Sequence, residues 1–413
     1  MIAENNKLTT EKQNRVEILD IFRGVAVFGI FVVNIEIMNC TFFNQASFSA
    51  QWTSSLDQAA VRILQLFFYS KFFPIFSFLF GVGIAMQALK GLENNKYPVS
   101  FFIRRMSFLF FLGIFHVLFL WSGDVLHLYA ILGLLTLILL KVPSKLLLLG
   151  SVLLLLFPFY DQMAELIFNA INFRPEIFLE GYSAQEITGI IRKGTYFEGI
   201  KLRGLEYASN VPVLYVFLAP VAFSMFLLGI YFGKQKLVYS IDSFIDKIKK
   251  PAISIAVITN LYRLIFLFVL PDLDIYSNES IRPLFFKLMF LSDISMGLFY
   301  LWFIGWIVRN PYWENFLNPV RYVGRMALTN YIMHSFIGLL LFSSVGFQLY
   351  ETLSPSATLL TAIAVFSFQL IFSKIWLSYF NYGPLEWAWR CFSYQKLIPN
   401  RKLIISKRTV VKE

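Results

Sequence analysis

Two histidines flank a carboxylate inside one of the most apolar stretches of the chain. The segment GIFHVLFLWSGDVLHLYAILG, residues 113–133, holds His116, Asp124 and His127. Histidine is the side chain best suited to take up and return a proton near neutral pH. We therefore predict that His116 is a general base. Asp124 is expected to cap the following helix, and His127 to lie at the surface of the outer turn.

A second polar set lies on the first apolar stretch, EILDIFRGVAVFGIFVVNIE. Arg23 and Asn34 are spaced so that, on an α-helix, they lie about 20° beyond three full turns and about 16 Å apart along the axis. They share one face, with Asp20 within about 60° of Arg23. Arg105 and His116 repeat this spacing further along the chain. Two helices thus each place an arginine at one end and a polar side chain at mid-depth.

Arginines grouped at the mouth of such a path are suited to phosphate groups. We expect Asp20, Arg23, Arg104 and Arg105 to form this anion-binding mouth. A structural interpretation stays open, in which the arginines only extend towards the membrane surface and His116 only fixes helix packing. His334, in TNYIMHSF, competes with His116 for the role of base.

The composition places these residues in a membrane. The chain has 413 residues, of which 57% are hydrophobic and only 15% charged. A soluble protein of this size needs a more polar surface. We predict an all-α polytopic membrane protein with about ten transmembrane helices, at about 18–38, 72–90, 101–121, 125–141, 145–160, 211–233, 251–270, 283–308, 324–343 and 356–380.

Most lysines and arginines fall between alternate pairs of these helices, which predicts that both termini are cytoplasmic. The net charge of +11 then reflects membrane topology and indicates no nucleic-acid partner. Cys40 and Cys391 fall on opposite sides of the membrane, so no disulfide is expected, and neither has the spacing of a metal ligand. Lys71 is expected to extend to the outer interface.

The predicted helices divide the chain into three parts. Residues 1–160 form an N-terminal membrane half, 161–210 an extracytoplasmic loop, and 211–413 a C-terminal membrane half with a basic cytoplasmic tail. The loop either covers a site or is a surface insertion. Gly24 and Gly29 allow a neighbouring helix or a ligand to approach the first helix closely.

Five ordered blocks give the chain a strong resemblance to the YeiB family of bacterial membrane proteins. They are LDIFRGVAVFGIFVVNI (19–35), KFFPIFSFLFGVG (71–83), GIFHVLFLWSGDVLHLYAILG (113–133), VGRMALTNYIMHS (323–335) and FSKIWLSYFNYGPLEWAWR (372–390). The C-terminal half of that family is the domain of unknown function 418. The resemblance implies a multi-pass protein of the bacterial inner membrane.

The resemblance also implies a relation to transmembrane acyltransferases. In the acyltransferase type three proteins the first helix reads LDGLRG and is followed by a catalytic histidine. Aligning LDIFRG here puts Asn34 at that histidine, as an asparagine stands there in the lysosomal heparan glucosaminide N-acetyltransferase. If the chemistry persists, the base must come from elsewhere, and His116 is the candidate.

The sequence therefore predicts transfer of an acyl group, most simply acetyl, from acetyl-CoA or another acyl-CoA. The acceptor would be a small molecule or a polysaccharide of the cell envelope. His116, Asn34 and Asp124 are the predicted catalytic residues, with no metal, and the lipid bilayer is the surrounding partner. Two other functions stay open, a transporter and a non-catalytic accessory or sensor protein. Homo-oligomerisation also stays open.

Overall fold

The computed structural model describes residues 2–41, 44–94, 99–157 and 159–402. These residues form α-helices joined by short turns, and no β-strand occurs among them. The helices are α1 Ile2–Asn39, α2 Gln45–Ser49, α3 Ser55–Phe67, α4 Phe72–Asn94, α5 Val99–Phe119, α6 Leu126–Leu139, α7 Ser144–Leu156, α8 Tyr160–Ala170, α9 Ala184–Lys193, α10 Tyr196–Ser209, α11 Ala219–Lys234, α12 Ile241–Lys247, α13 Lys249–Phe268, α14 Arg282–Ile307, α15 Pro311–Leu317, α16 Val320–Arg325, α17 Ala327–Phe342, α18 Pro355–Tyr379 and α19 Pro384–Tyr394.

Seven helical segments in the described residues are long and apolar enough to cross a membrane, so the protein is an all-α, multi-pass membrane protein. They are Glu17–Asn39, Ser55–Leu89, Val99–Phe119, Val213–Lys234, Lys249–Phe268, Arg282–Ile307 and Pro355–Tyr379.

The predicted number of about ten spans is reached only by adding one bent pair of helices and two helices that are too short for this test. Helices α7 and α8 are bent by 80° at the break between them, and together they give an eighth span if each bent pair is one span. Helix α6 has 14 residues and α17 has 16. These lengths correspond to about 21 and 24 Å, short of the roughly 30 Å of a hydrocarbon core.

The N-terminal and C-terminal halves share one hydrophobic core. Its largest cluster joins buried residues of α1 and α4 to buried residues of α11 and α14, including Phe22, Leu79, Met225 and Leu301. Many other apolar side chains stay exposed on α13, α14 and α18, which suits helices that face lipid. The two predicted halves are thus consecutive in the sequence, but their helices pack together in one core.

Glycines on α1 permit close helix contacts, as the sequence predicts. A Cβ atom on Gly24 would lie 2.3 Å from the Val320 carbonyl oxygen, and one on Gly29 would lie 2.1 Å from the Phe72 ring. Helix α1 can therefore pack directly against α16 and the start of α4. At both glycines the close neighbour is therefore another helix of the protein, Val320 at Gly24 and Phe72 at Gly29.

The prediction for Lys71 is wrong, because its side chain is fully buried. Its Nζ lies 2.8 Å from Asp293 Oδ1, and the Arg263 Nε lies 2.9 Å from the same oxygen. Lys71 also donates to the Tyr69 carbonyl, while Arg263 donates to the carbonyls of Gln65 and Leu66. This buried ion cluster fastens the turn between α3 and α4 to α13 and α14.

Residues 161–210 are partly helical, and they cover the end of α5. The Arg203 Nε donates to the Leu118 carbonyl at 2.8 Å, and the Tyr196 hydroxyl donates to the Phe119 carbonyl at 2.6 Å. The last carbonyls of a helix have no partner within the helix. Helix α10 supplies those partners and lies over the C-terminal end of α5, the helix that carries His116.

Candidate active site

Asp124 lies between two histidines and contacts both. The His116 Nδ1 is 2.8 Å from Asp124 Oδ1, and the His127 Nδ1 is 2.9 Å from Asp124 Oδ2. The backbone N–H groups of Leu126 and His127 also donate to Oδ2, at 2.8 and 3.2 Å. Asp124 therefore caps the start of α6, as expected, and orients two imidazole rings as well.

Burial and hydrogen bonding act in opposite directions on the carboxyl group of Asp124. Burial alone would raise its pKa, but the hydrogen bonds from His116 and His127 outweigh burial and hold the pKa below its usual value. An ionised Asp124 can only accept hydrogen bonds. Both histidine Nδ1 atoms must then donate to it, which leaves each Nε2 as an acceptor.

The Nε2 of His116 is buried and has no hydrogen-bond partner among the described residues. A histidine whose Nδ1–H is held by a carboxylate and whose Nε2 is free has the arrangement of a general base in nucleophilic catalysis. The ring lies against Tyr331, with 5.5 Å between the two ring centroids. The site thus contains an oriented imidazole with an open proton-accepting atom.

The expectation that His127 lies at the surface is wrong. Its side chain is 1% exposed, and its Nε2 accepts from the Tyr207 hydroxyl at 2.9 Å. Tyr207 belongs to α10, so the outer segment contacts the histidine pair directly. A single sequence gives no sign of this contact, because Tyr207 lies in a polar stretch far from His127.

A cavity of about 230 Å³ is lined by Arg23, in the middle of α1, and by Arg105, near the start of α5. We call it the inner cavity, because the predicted topology places it on the cytoplasmic side. Its wall carries four arginines, and Tyr331 links this wall to His116. The arginines are Arg23, Arg105, Arg325 and Arg390.

Three of these arginines have no carboxylate partner within the described ranges. The guanidinium carbon of Arg105 lies 3.6 Å from the centroid of the Trp389 ring, and that of Arg390 lies 4.4 Å from the centroid of the Tyr382 ring. Arg325 donates to the Asn381 carbonyl. The acidic group on the wall, Glu386, already accepts from two backbone N–H groups at the start of α17. The cavity therefore carries excess positive charge and suits a polyanion.

Of the four predicted anion-binding residues, two line the inner cavity and two do not. Arg23 and Arg105 lie together on the cavity wall, whereas Asp20 forms an ion pair of 2.6 Å with Arg23. Arg104 is not brought to the cavity, because its Nε donates to the Ser393 carbonyl at 3.0 Å. Arg104 and Arg105 point about 100° apart on α5, and Arg104 is turned towards α19, where Ser393 lies.

Asn34 lies five residues before the end of α1, and His334 lies in the middle of α17. Asn34 is half-buried, and in the described structure no hydrogen bond joins it to His116 or Asp124. His334 stacks on Phe31 at 4.0 Å, and its Nε2 donates to Gln369 Oε1 at 2.8 Å. No carboxylate of the described residues contacts His334, so it lacks the group that would stabilise an imidazolium, and His116 is the better candidate for a base.

A second cavity, of about 80 Å³, lies at the opposite ends of the same helices, and we call it the outer cavity. The inner wall includes Leu109 of α5, and the outer wall includes Leu120, the first residue after α5, with His116 between them in sequence. Along α17 the corresponding residues are Tyr331 and Ser335. The histidine pair therefore lies between a cavity at each end of the helix bundle.

Sequence reasoning missed the residues that the C-terminal half supplies. Arg325 and Arg390 stand in the resemblance blocks VGRM and EWAWR, but nothing in their spacing shows that they share a cavity with Arg105. Arg390 lies on α19, and only the fold brings α19 against α5, where the Trp389 Nε1 donates to the Arg105 carbonyl.

Comparisons with known proteins extend over most of the chain. Residues 232–396 match the family model described as "Protein of unknown function (DUF418)". "Uncharacterized protein YxaH" of Bacillus subtilis (strain 168) is 29% identical over 415 residues, which cover 97% of this chain and 98% of the relative. "Uncharacterized protein YeiB" of Escherichia coli (strain K12) is 27% identical over 395 residues, covering 90% and 94%. These matches confirm the resemblance predicted from the sequence blocks.

Proposed function

We propose that this chain, a member of the YeiB/DUF418 family, is an acyltransferase embedded in the bacterial inner membrane. It transfers an acyl group, most simply acetyl, from acyl-CoA to an acceptor in the cell envelope or a small molecule. The proposal is carried by one observation, the buried His116 whose Nδ1 is held by Asp124 and whose Nε2 is free.

The inner cavity supplies the donor site. Its four arginines suit the phosphates of coenzyme A, since arginine binds phosphate through paired, charge-assisted hydrogen bonds. Arg105, Arg325 and Arg390 hold the phosphates, and Arg23 assists while paired with Asp20. The acyl end extends past Tyr331 towards His116.

Acyl-CoA supplies a thioester whose carbonyl carbon is open to attack. His116 Nε2 takes the proton from the acceptor as the acceptor's oxygen or nitrogen bonds to that carbon. The carbon–sulfur bond then breaks, and His116 returns the proton to the departing thiolate. Asp124 stabilises the imidazolium between these steps, while Asn34 is the proposed donor to the developing oxyanion.

Donor binding is tested by calorimetry of acetyl-CoA on the full-length protein in detergent. Arg105→Gln is expected to weaken binding by about 10- to 100-fold, the loss of one charge-assisted contact of about 1.5–3 kcal/mol. Arg104→Gln is the matched control, because this neighbouring arginine contacts the Ser393 carbonyl instead. Equal affinities in the two variants would contradict the assignment of the inner cavity.

The chemical step is tested without a known acceptor, because water can replace it slowly. Released coenzyme A thiol is measured with a chromogenic disulfide. His116→Gln is expected to retain acetyl-CoA binding and to lose thiol release by about 10²- to 10⁴-fold, the contribution of a general base. Thiol release that is unchanged in this variant would remove His116 as the base.

The pair of cavities favours a second candidate, a transporter that exposes one site to each side in turn. Intramembrane ionisable residues also mark substrate and proton pathways. Uptake into proteoliposomes that is abolished by collapsing the proton gradient would support transport. An accessory or sensor role would be favoured if function survived replacement of His116, Asn34 and Arg23 together.

A further inference from the structure

The outer cavity contains two polar groups that the protein itself leaves without partners. Glu206 Oε1 and Arg203 Nη2 are both buried and have no hydrogen-bond partner in the described residues. Both side chains line the cavity. Leaving a buried polar group unpaired costs about 1–3 kcal/mol, and more if it is charged. A molecule in the cavity that pairs both groups would recover this cost.

Both side chains are anchored by their other polar atoms. Glu206 Oε2 accepts from the Ser122 hydroxyl at 2.9 Å, and the Arg203 Nε donates to the Leu118 carbonyl at 2.8 Å. They lie three residues apart on α10 and therefore on the same helix face. One acceptor and one donor are thus held side by side at the cavity wall.

This pairing selects a class of ligand. A ligand must donate to Glu206 Oε1 and accept from Arg203 Nη2 at neighbouring positions. An ammonium group can only donate, so it cannot accept from Arg203, and a fully ionised phosphate can only accept, so it cannot donate to Glu206 Oε1. Two adjacent hydroxyl groups satisfy both contacts, because each hydroxyl can donate and accept.

The cavity lies close to the proposed base. Leu120 on its wall is four residues beyond His116, about 6 Å along the helix axis. Ser122, which anchors Glu206, is followed two residues later by Asp124, which anchors His116. Trp121 and Phe342 add apolar surface for the carbon skeleton of a ligand.

We propose that the outer cavity binds a vicinal diol, with one hydroxyl donating to Glu206 Oε1 and its neighbour accepting from Arg203 Nη2. Resting on the proposed function, this diol is the acyl acceptor. The oxygen of the hydroxyl that accepts from Arg203 bonds to the thioester carbon while its proton passes to His116 Nε2. The carbon–sulfur bond breaks, and His116 returns the proton to the departing thiolate, which gives an ester and the free thiol.

Saturation-transfer NMR on the full-length protein in detergent tests this inference with three small probes of similar size. 1,2-Propanediol offers both hydroxyls, 1-propanol lacks one, and 1-amino-2-propanol replaces one with an amine. The diol is expected to bind at least about tenfold more tightly than either analogue, the effect of one hydrogen bond to a charged group. Equal affinities for the three probes would overturn the proposal.

Variants of α10 locate the binding. Glu206→Ala is expected to weaken diol binding at least about tenfold, and Glu206→Gln to have an intermediate effect because an amide oxygen can still accept. Lys201→Gln, an exposed residue of the same helix, is the control and is expected to bind as the wild type does. Unfolding temperatures show whether each variant is folded. A folded Glu206→Ala variant with wild-type affinity refutes the site.

Acetyl-CoA calorimetry on the same samples separates this inference from the proposed function. Glu206→Ala is expected to keep wild-type donor affinity, since Glu206 is on the wall of the outer cavity. Donor binding without diol binding refutes the diol site alone. Diol binding without donor binding refutes the acyl-CoA reaction and leaves the diol site standing.

Discussion

Replacing Asp124 with asparagine is expected to move the proton of His116 to the wrong nitrogen. Asp124 accepts from His116 Nδ1 on one oxygen and from three donors on the other. An asparagine keeps most contacts by turning its oxygen towards the three donors. Its amide N–H group then faces His116 Nδ1, which must become an acceptor, so the ring proton moves to Nε2.

Two magnitudes follow from this geometry. The variant loses the charge on one hydrogen-bonded acceptor, a destabilisation of about 1.5–3 kcal/mol. The proton-accepting atom Nε2 is also blocked, and the same change of tautomer lowers the rate by about 10⁴ in serine proteases. Acetyl-CoA binding is expected to persist, because Asp124 is not on the wall of the inner cavity.

Nitrogen-15 NMR of histidine-labelled protein measures this effect directly. The chain has three histidines, so at most six ring nitrogens contribute to the spectrum. Protonated and unprotonated ring nitrogens resonate far apart, and a His116→Gln sample assigns the signals. Wild type is expected to show His116 protonated at Nδ1, and Asp124→Asn at Nε2. An unchanged tautomer in a folded variant would refute the reasoning.

Three further substitutions, two of them paired with a control substitution, test other parts of the structure by thermal and denaturant unfolding. Gly113→Ala is expected to destabilise the protein by about 1–3 kcal/mol, because its Cβ would lie 2.4 Å from the backbone nitrogen of His127; Gly204→Ala, whose Cβ meets its nearest neighbour at 3.9 Å, is expected to be neutral or stabilising. Asp293→Ala leaves Lys71 and Arg263 buried without a counter-charge and is expected to cost about 3–5 kcal/mol. Asp246→Ala breaks the ion pair between Asp246 and Arg309, and it is expected to cost less than about 1 kcal/mol because the Asp246 side chain is 66% exposed. Burial raises the pKa of Glu206 to about 7, so the folded state binds a proton that the unfolded state releases between about pH 4.5 and 7. The contribution of Glu206 to stability therefore falls as pH rises through this window, and Glu206→Gln is expected to remove that part of the slope.

Local spacing was enough to predict part of the site. The helical repeat placed Arg23 and Arg105 at one end of their helices, and the structure puts both on one cavity wall. The cap position of Asp124 also followed from its place before an apolar run. These features depend on residues within one helix or one turn, where the backbone repeat fixes relative position.

Contacts between distant segments could not be predicted in this way. The burial of Lys71 depends on Asp293, and the burial of His127 depends on Tyr207, and no repeat relates the members of either pair. Arg104 and Arg105 are both arginines at a helix end, and only the position of α19 gives one of them a carbonyl and the other a cavity. The number of spans likewise depended on a bend that apolar composition does not reveal.

The buried ion cluster has a consequence for the making of the protein. Asp293 is synthesised roughly 220 residues after Lys71, which at 5–20 residues per second is about 10 to 45 s later. An unpaired lysine within a spanning segment costs about 2.5–3.5 kcal/mol on insertion scales. During this interval the start of α4 has no native counter-charge, so its final depth is set only when α14 arrives. A nascent chain arrested before residue 293 is therefore expected to leave Lys71 accessible to water-soluble amine reagents, and a longer one to protect it.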